Sequence, residues 1–123
     1  MKNTITLLGS TGSIGRQTLD VCRQMEIPVV ALAAHHSVDL LEKQIQEFHP
    51  ALAVLYDIDA AMELARRVSD LPVRVAYGME GLIEAASLSE SGTVVAAMVG
   101  MVGLQPTLAA IRQGKRIALA NKE

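Results

Sequence analysis

The stretch TITLLGSTGSIG, residues 4–15, decides the fold class of this chain. Its first five residues are β-branched or apolar and predict a short buried strand. Gly9, Gly12 and Gly15 follow at once, and a segment of helical period begins behind them. Between a strand and a helix, such a turn brings backbone N–H groups and the helix dipole onto a pyrophosphate. The opening of the chain therefore predicts a phosphate-binding site for a dinucleotide.

We expect some residues of this loop to allow close packing of the helix and others to bind the phosphate. We expect Gly12 to let a phosphate approach the backbone and Gly15 to let the helix pack close to the strand. The hydroxyls of Thr11 and Ser13 are further donors. The spacing is GxxGxxG rather than the more common GxGxxG, so a tight turn without a ligand is the alternative interpretation.

Short apolar runs alternate with segments of helical period along the rest of the chain. Strands are predicted at residues 4–8, 29–33, 52–56, 73–76, 93–99 and 116–119. Helices are predicted from the glycine loop to residue 25 and at 38–48, 59–69, 79–88 and 104–113. This order predicts an α/β fold of the Rossmann type, a doubly wound and mainly parallel sheet with helices on both faces.

The helical period also predicts which side chains face the core. In the first helix these are Ile14, Leu19, Cys22 and Met25, and in the third they are Met62, Ala65 and Val68. Ser37 is expected to cap the second helix. Cys22 is the single cysteine, so the chain has no internal disulfide, and we interpret the residue as a small core hydrophobe.

Composition narrows the class of protein. The 123 residues suit one domain, residues 1–123, and the net charge of −2 offers no basic surface for nucleic acid. No apolar run is long enough to span a membrane and no signal peptide is recognisable, so we expect a cytoplasmic protein with no membrane partner. The last βα unit has no covering helix after residue 119, from which we expect a truncated piece of a longer protein.

Two other classes of nucleotide-binding protein lack residues that their motifs require. A P-loop beginning at Gly9 would need glycine where Ile14 stands, and the later Gly-Lys pair at 114–115 lacks the following Ser or Thr. Short-chain dehydrogenases use a Tyr-x-x-x-Lys pair, but neither Tyr56 nor Tyr77 has a lysine four residues later. Both classes are therefore disfavoured.

The end of the second strand bears on which dinucleotide binds. NAD sites usually place a carboxylate there to hold the ribose hydroxyls, whereas this chain has Ala34-His35-His36-Ser37. A 2′-phosphate is not repelled at that spot, and His36 and Ser37 are candidate donors to it. NADP is thus favoured over NAD. The alternative is that both histidines are solvated loop residues, and a metal site built from two adjacent histidines is less favoured still.

Three motifs in order resemble the 1-deoxy-D-xylulose 5-phosphate reductoisomerase family. They are the glycine loop at 9–15, the run AAMVGMVGLQPTL at 96–108 and the closing ALANKE at 118–123. The resemblance covers the whole chain, which corresponds to the N-terminal NADPH-binding domain of that family. It implies an enzyme of non-mevalonate isoprenoid biosynthesis that rearranges 1-deoxy-D-xylulose 5-phosphate and reduces the product with NADPH to 2-C-methyl-D-erythritol 4-phosphate.

The resemblance also implies roles for matching positions. Thr11, Gly12, Ser13 and Ile14 would contact the phosphates and ribose of NADPH, Asn121 and Glu123 its nicotinamide end, and Lys122 the phosphosugar substrate. The ligands of the family's Mg²⁺ or Mn²⁺ lie after residue 123, so the fragment alone is expected to be inactive. The full-length enzyme is expected to be a homodimer.

One departure from the family pattern concerns the 2′-phosphate. Many members have Gly, then Lys or Arg, then Asn after the second strand, where this chain has His35, His36 and Ser37. A neutral histidine offers one donor and no full charge, so NADPH affinity should depend on pH. Two further functions stay open: the cofactor domain of another dehydrogenase, such as aspartate-semialdehyde or homoserine dehydrogenase, and a stand-alone nucleotide-sensing module. An Asp-Ser-Glu segment beyond Glu123 would argue against both.

Overall fold

Six parallel strands form one sheet in the part of the chain that the computed structural model describes, residues 3–98 and 101–120. They are β1 (Ile5–Leu8), β2 (Val29–Ala34), β3 (Leu52–Leu55), β4 (Arg74–Tyr77), β5 (Thr93–Ala96) and β6 (Arg116–Leu119). Their order across the sheet is β4-β3-β2-β1-β5-β6, and every neighbouring pair is parallel. The predicted Rossmann-type class is confirmed.

Within residues 3–98 and 101–120, five α-helices cover the two faces of this sheet. They are α1 (Ser13–Met25), α2 (Val38–Phe48), α3 (Ile58–Arg67), α4 (Gly78–Ser87) and α5 (Leu104–Arg112), with a short 3-10 turn, Met101–Gly103, before α5. The inward side chains of α1, α2 and α3 share one buried cluster with the strands, and those of α4 and α5 share a second cluster on the opposite face. Helices on both faces are therefore confirmed, as the alternation of elements predicts.

The chain reverses its direction of travel across the sheet at β1. This strand pairs with β2 on one side and with β5 on the other, and Leu8 is level with Ala33 and with Ala96. The carboxyl ends of three strands thus lie side by side. In open α/β sheets a ligand binds outside the carboxyl ends of the strands at such a switch point.

Some of the predicted inward positions are wrong. Met25 is 67% exposed, Met62 is 65% exposed and Ala65 is also exposed. The buried stripe of the third helical segment is instead Ala61, Leu64 and Val68. Met62 and Ala65 each follow a member of that stripe by one residue, which turns them about 100° away from the core.

Two predictions about local structure have different outcomes. Cys22 is buried as predicted, and burial raises the pKa of its thiol, which disfavours the reactive thiolate. Ser37 stands at the N-cap position of α2, but its side chain makes no capping hydrogen bond, so the predicted hydroxyl cap is wrong.

The strand predicted at 93–99 ends at Ala96, and Val99 lies outside the described residues. None of the described helices is long and apolar enough to cross a bilayer.

Candidate functional site

The glycine loop is fastened to the strands on both sides of β1. The N–H groups of Gly9 and Ser10 both donate to the carbonyl oxygen of Ala33 on β2, at 2.7 and 2.9 Å. On the other side, the N–H of Ala97 donates to the carbonyl oxygen of Leu8 at 2.8 Å. The loop is therefore held at the switch point of the sheet.

Two glycines are required by the fold itself. Gly9 has a φ of +95°, and a Cβ there would lie 2.7 Å from the backbone of Ala97. A Cβ at Gly15 would lie 2.0 Å from the carbonyl oxygen of Gly9, so α1 and the loop approach each other too closely for any side chain. The predicted packing role of Gly15 is confirmed.

Gly12 differs from these two. The nearest atom to a Cβ at this position is the carbonyl oxygen of Gly9, 4.0 Å away, so the domain leaves space for a side chain. Gly12 is the N-cap residue of α1, where no side chain caps the helix and the first turn carries no acidic residue. The first turn of a helix presents N–H groups that lack intrahelical partners and a partial positive charge. This end of α1 is suited to an anion supplied from outside.

A pocket of about 220 Å³ opens beside the loop, at the carboxyl ends of β1, β2 and β5. Its lining comes from these three strand ends and the turn before α5: Gly9, Thr11, Gly12, Ala34, His35, Ala97, Met98 and Val102. Thr11 and Gly12, two of the residues predicted to bind the cofactor, line this pocket. The lining of Ala97, Met98 and Val102 was not predicted, although the sequence pattern of a doubly wound sheet indicates that the strand pairing with β1 must end beside the loop.

The other loop residues lie on the rim or behind it. Ser13 is the first residue of α1 and is exposed, and Ile14 is half-buried. The carbonyl oxygen of Ile14 accepts a hydrogen bond from the Thr18 hydroxyl at 2.9 Å, inside α1. Neither residue lines the pocket, and both belong to the first turn of α1.

The two histidines after β2 form a pair. Nδ1 of His35 lies 3.2 Å from Nδ1 of His36, and the His35 ring lies 5.4 Å from the ring of Tyr56. Which of the two nitrogens donates depends on the tautomers of the rings. His35 lines the pocket, whereas His36 and Ser37 do not.

Two further pockets lie away from this edge. One, of about 350 Å³, is a charged groove between α1 and α2, and the other, of about 280 Å³, is at the amino ends of β3 and β4. Neither touches the glycine loop, and amino ends of parallel strands are not where such sheets bind nucleotides.

Three predicted residues lie outside the described ones: Asn121, Lys122 and Glu123. The residue before them, Ala120, donates its N–H to the carbonyl oxygen of Ala96 at 3.0 Å, at the same edge of the sheet as the pocket. Within residues 3–98 and 101–120, no group of three or more His, Cys, Asp and Glu side chains is placed to hold a metal ion.

The sequence matches a known family along almost its whole length. The family model described as 1-deoxy-D-xylulose 5-phosphate reductoisomerase matches residues 5–123. A protein of that name from Lachnoclostridium phytofermentans is 54% identical over 97% of this chain and 31% of its own length. One from Halothermothrix orenii is 48% identical over 100% of this chain and 33% of its own length. The chain thus spans about a third of the relatives it matches.

Solved structures agree with the sequence comparison. The 1-deoxy-D-xylulose 5-phosphate reductoisomerase of Zymomonas mobilis in complex with NADPH superposes with a TM-score of 0.91 at 37% identity, over 98% of this chain and 32% of that one. A structure of DOX-P reductoisomerase with magnesium superposes with a TM-score of 0.93 at 42% identity, over 98% and 31%. The chain belongs to the 1-deoxy-D-xylulose 5-phosphate reductoisomerase family.

Proposed function

We propose that this chain is the NADPH-binding part of a 1-deoxy-D-xylulose 5-phosphate reductoisomerase. The observation that carries the proposal is the N-terminus of α1, which has an open Gly12 and no cap or acid of its own, beside a pocket at the switch point of the sheet. A relative of the same fold is known in complex with NADPH. The family match over residues 5–123 speaks against both the other dehydrogenases and the stand-alone sensor.

The pyrophosphate of NADPH would lie against the first turn of α1. The backbone at Gly12, Ser13 and Ile14 would donate N–H groups to its oxygens, and the hydroxyls of Thr11 and Ser13 would add donors. The pocket wall at Ala97, Met98 and Val102 would exclude water from the apolar parts of the cofactor. When bound, NADPH supplies the hydride that reduces the substrate carbon.

The 2′-phosphate would be bound after β2 by His36 and Ser37. The Ser37 hydroxyl would donate its O–H to a phosphate oxygen. The end of β2 carries His35-His36-Ser37 in place of the carboxylate that is usual in NAD sites, which favours NADPH over NADH. His35, which lines the pocket, would face the adenosine from the same side.

The remaining steps would need residues beyond the described part of the chain. Asn121 and Glu123 would adjoin the nicotinamide, and Lys122 would bind the phosphosugar 1-deoxy-D-xylulose 5-phosphate, whose negative charge an ammonium group stabilises. Mg²⁺ or Mn²⁺ would be held by ligands after residue 123. The whole enzyme would be a cytoplasmic homodimer that forms 2-C-methyl-D-erythritol 4-phosphate, and this fragment alone would not turn over substrate.

Calorimetric titration of the chain with NADPH and with NADH tests the proposal. We expect NADPH to bind more tightly than NADH, because only NADPH carries the 2′-phosphate that His36 and Ser37 would bind. His36→Ala should reduce the preference for NADPH over NADH, and His49→Ala, at an exposed histidine away from the pocket, is the matched control and should leave the preference unchanged. The absence of binding by either dinucleotide would contradict the proposal.

A further inference from the structure

A glutamine interrupts the apolar face of α2. Gln44 stands beside Ile45 and one turn after Leu41, and its exposed fraction is only 6%. Leu41 is 0% exposed and Ile45 1% exposed, so this face of the helix is otherwise a hydrophobic contact. A glutamine at such a position requires a polar partner inside the domain.

That partner is the glycine loop. Nε2 of Gln44 donates a hydrogen bond of 2.9 Å to the carbonyl oxygen of Ser10, which is itself 0% exposed. The two residues are 34 positions apart, and the bond joins α2 to the segment between Gly9 and Thr11. The N–H of Ser10 is already bonded to Ala33, so the loop is fixed from β2 at its amide and from α2 at its carbonyl.

This arrangement destabilises the fold to some extent. Oε1 of Gln44 and Oγ of Ser10 are buried and have no hydrogen-bond partner among the described residues. Unpaired buried polar atoms lower stability. A methionine at position 44 would remove the unpaired Oε1 but would leave the buried Ser10 carbonyl without the Gln44 donor. Among the described residues, the Gln44 side chain makes one hydrogen bond, to Ser10, and that bond is the feature to explain.

The bond to Ser10 also orients the next amide. The carbonyl of Ser10 and the N–H of Thr11 belong to one peptide group, and none of the described peptide bonds is cis. In a trans peptide the C=O and N–H point in opposite directions. Because Gln44 holds the carbonyl toward the interior, the N–H of Thr11 is turned the other way, and Thr11 lines the pocket.

We propose that Gln44 is a positioning residue for the cofactor site, which aims the Thr11 amide at the pyrophosphate by holding the Ser10 carbonyl inside the domain. The inference rests on the proposed binding of NADPH at this loop. It assigns part of the cofactor affinity to a buried side chain that does not line the pocket.

Gln44→Met and Gln46→Met form a matched pair, because Gln46 lies on the same helix and is exposed. We expect Gln44→Met to weaken NADPH binding roughly fivefold to tenfold, a loss of affinity of the size that one hydrogen bond contributes. Gln46→Met should leave the affinity for NADPH unchanged. In ³¹P spectra of bound NADPH, the pyrophosphate resonances should move in Gln44→Met while the 2′-phosphate resonance stays in place. Thermal unfolding of both variants separates binding from stability.

Unchanged NADPH affinity and unchanged pyrophosphate resonances in a folded Gln44→Met would overturn the inference, whatever its unfolding temperature. If Gln44→Met does not fold, Gln44→Leu, which also lacks a donor and adds no ionisable group, replaces it and carries the same expectation. Failure of the unsubstituted chain to bind NADPH would contradict the proposed function, and the inference with it. Binding by the unsubstituted chain together with equal binding by the variant contradicts the inference alone.

Discussion

The helices α1 and α3 begin at the same edge of the sheet, but only α3 is capped by a side chain of the chain itself. At α3 the carboxylate of Asp57 accepts the N–H of Ala60 at 2.9 Å, and Asp59 adds a second negative charge in the first turn. At α1 the N-cap is Gly12, with no side-chain cap and no acidic residue in the first turn.

The contrast indicates where each helix finds its negative partner. The dipole and the unpaired N–H groups of a first turn favour an anion. In α3 the chain supplies that anion from its own sequence, and in α1 it leaves the place open beside the pocket. The expected consequence is that α3 serves stability alone, whereas α1 gives up some stability for binding.

The largest change in the free energy of unfolding should come from Gly15→Ala. Its Cβ would lie 2.0 Å from the carbonyl oxygen of Gly9, so α1 must move away from the loop. We expect a loss of about 3 kcal/mol in the free energy of unfolding, measured with urea. Gly12→Ala, where a Cβ meets only open space, is the control and should cost under about 1 kcal/mol. Equal losses would show that the two glycines do not have separate roles.

Asp57→Ala should have a smaller effect, confined to stability. The variant removes the carboxylate that caps α3, and the loss of such a cap costs about 1 kcal/mol. Because Asp57 does not line the pocket, the affinity for NADPH should be unchanged. Urea unfolding and calorimetric titration of the same sample check both parts, and a weakened affinity would count against the division between α1 and α3.

The smallest effect concerns the other end of α3. Hydrogen bonds from Arg66, at 2.6 Å, and from Arg67, at 2.9 Å, lower the pKa of Glu63 from 4.5 to about 2. A carboxylate with a lowered pKa in the folded state stabilises it above pH 4.5, and this contribution is lost as the pH falls toward 2. The Arg66 side chain is 74% exposed, and those of Glu63 and Arg67 are 33% and 34% exposed, so water screens these pairs and the effect is small.

Glu63→Gln removes this contribution. The difference in urea midpoint between the variant and the unsubstituted chain should be present above pH 4.5 and should shrink as the pH falls toward 2. A difference that does not change with pH would mean that the ion pairs of Glu63 do not stabilise the folded chain.

The sheet and its helices could be predicted from the sequence because strands buried on both faces leave continuous apolar runs between helical segments. The faces of the helices were harder to predict. Met25 and Met62 are apolar residues that the solvent-facing sides of α1 and α3 tolerate, so hydrophobicity alone misplaced them.

The candidate site was predicted only where it is local in sequence. Thr11 and Gly12 belong to one continuous loop, whereas Ala97, Met98 and Val102 join it through the pairing of β1 with β5. Gln44 gives a weak signal, a polar residue on an apolar helix face, but its partner lies 34 residues away and emerges only with the fold.

Titration of Gly12→Asp with NADPH tests the central claim most directly. The substitution gives α1 an acidic cap like that of α3, and the open space at Gly12 admits the side chain. We predict a chain that is as stable as before or more so, and that binds NADPH at least about tenfold more weakly, because the carboxylate takes the place of the phosphate at the helix N-terminus. Undiminished binding of NADPH by the folded variant would contradict the claim that the pyrophosphate lies at the start of α1.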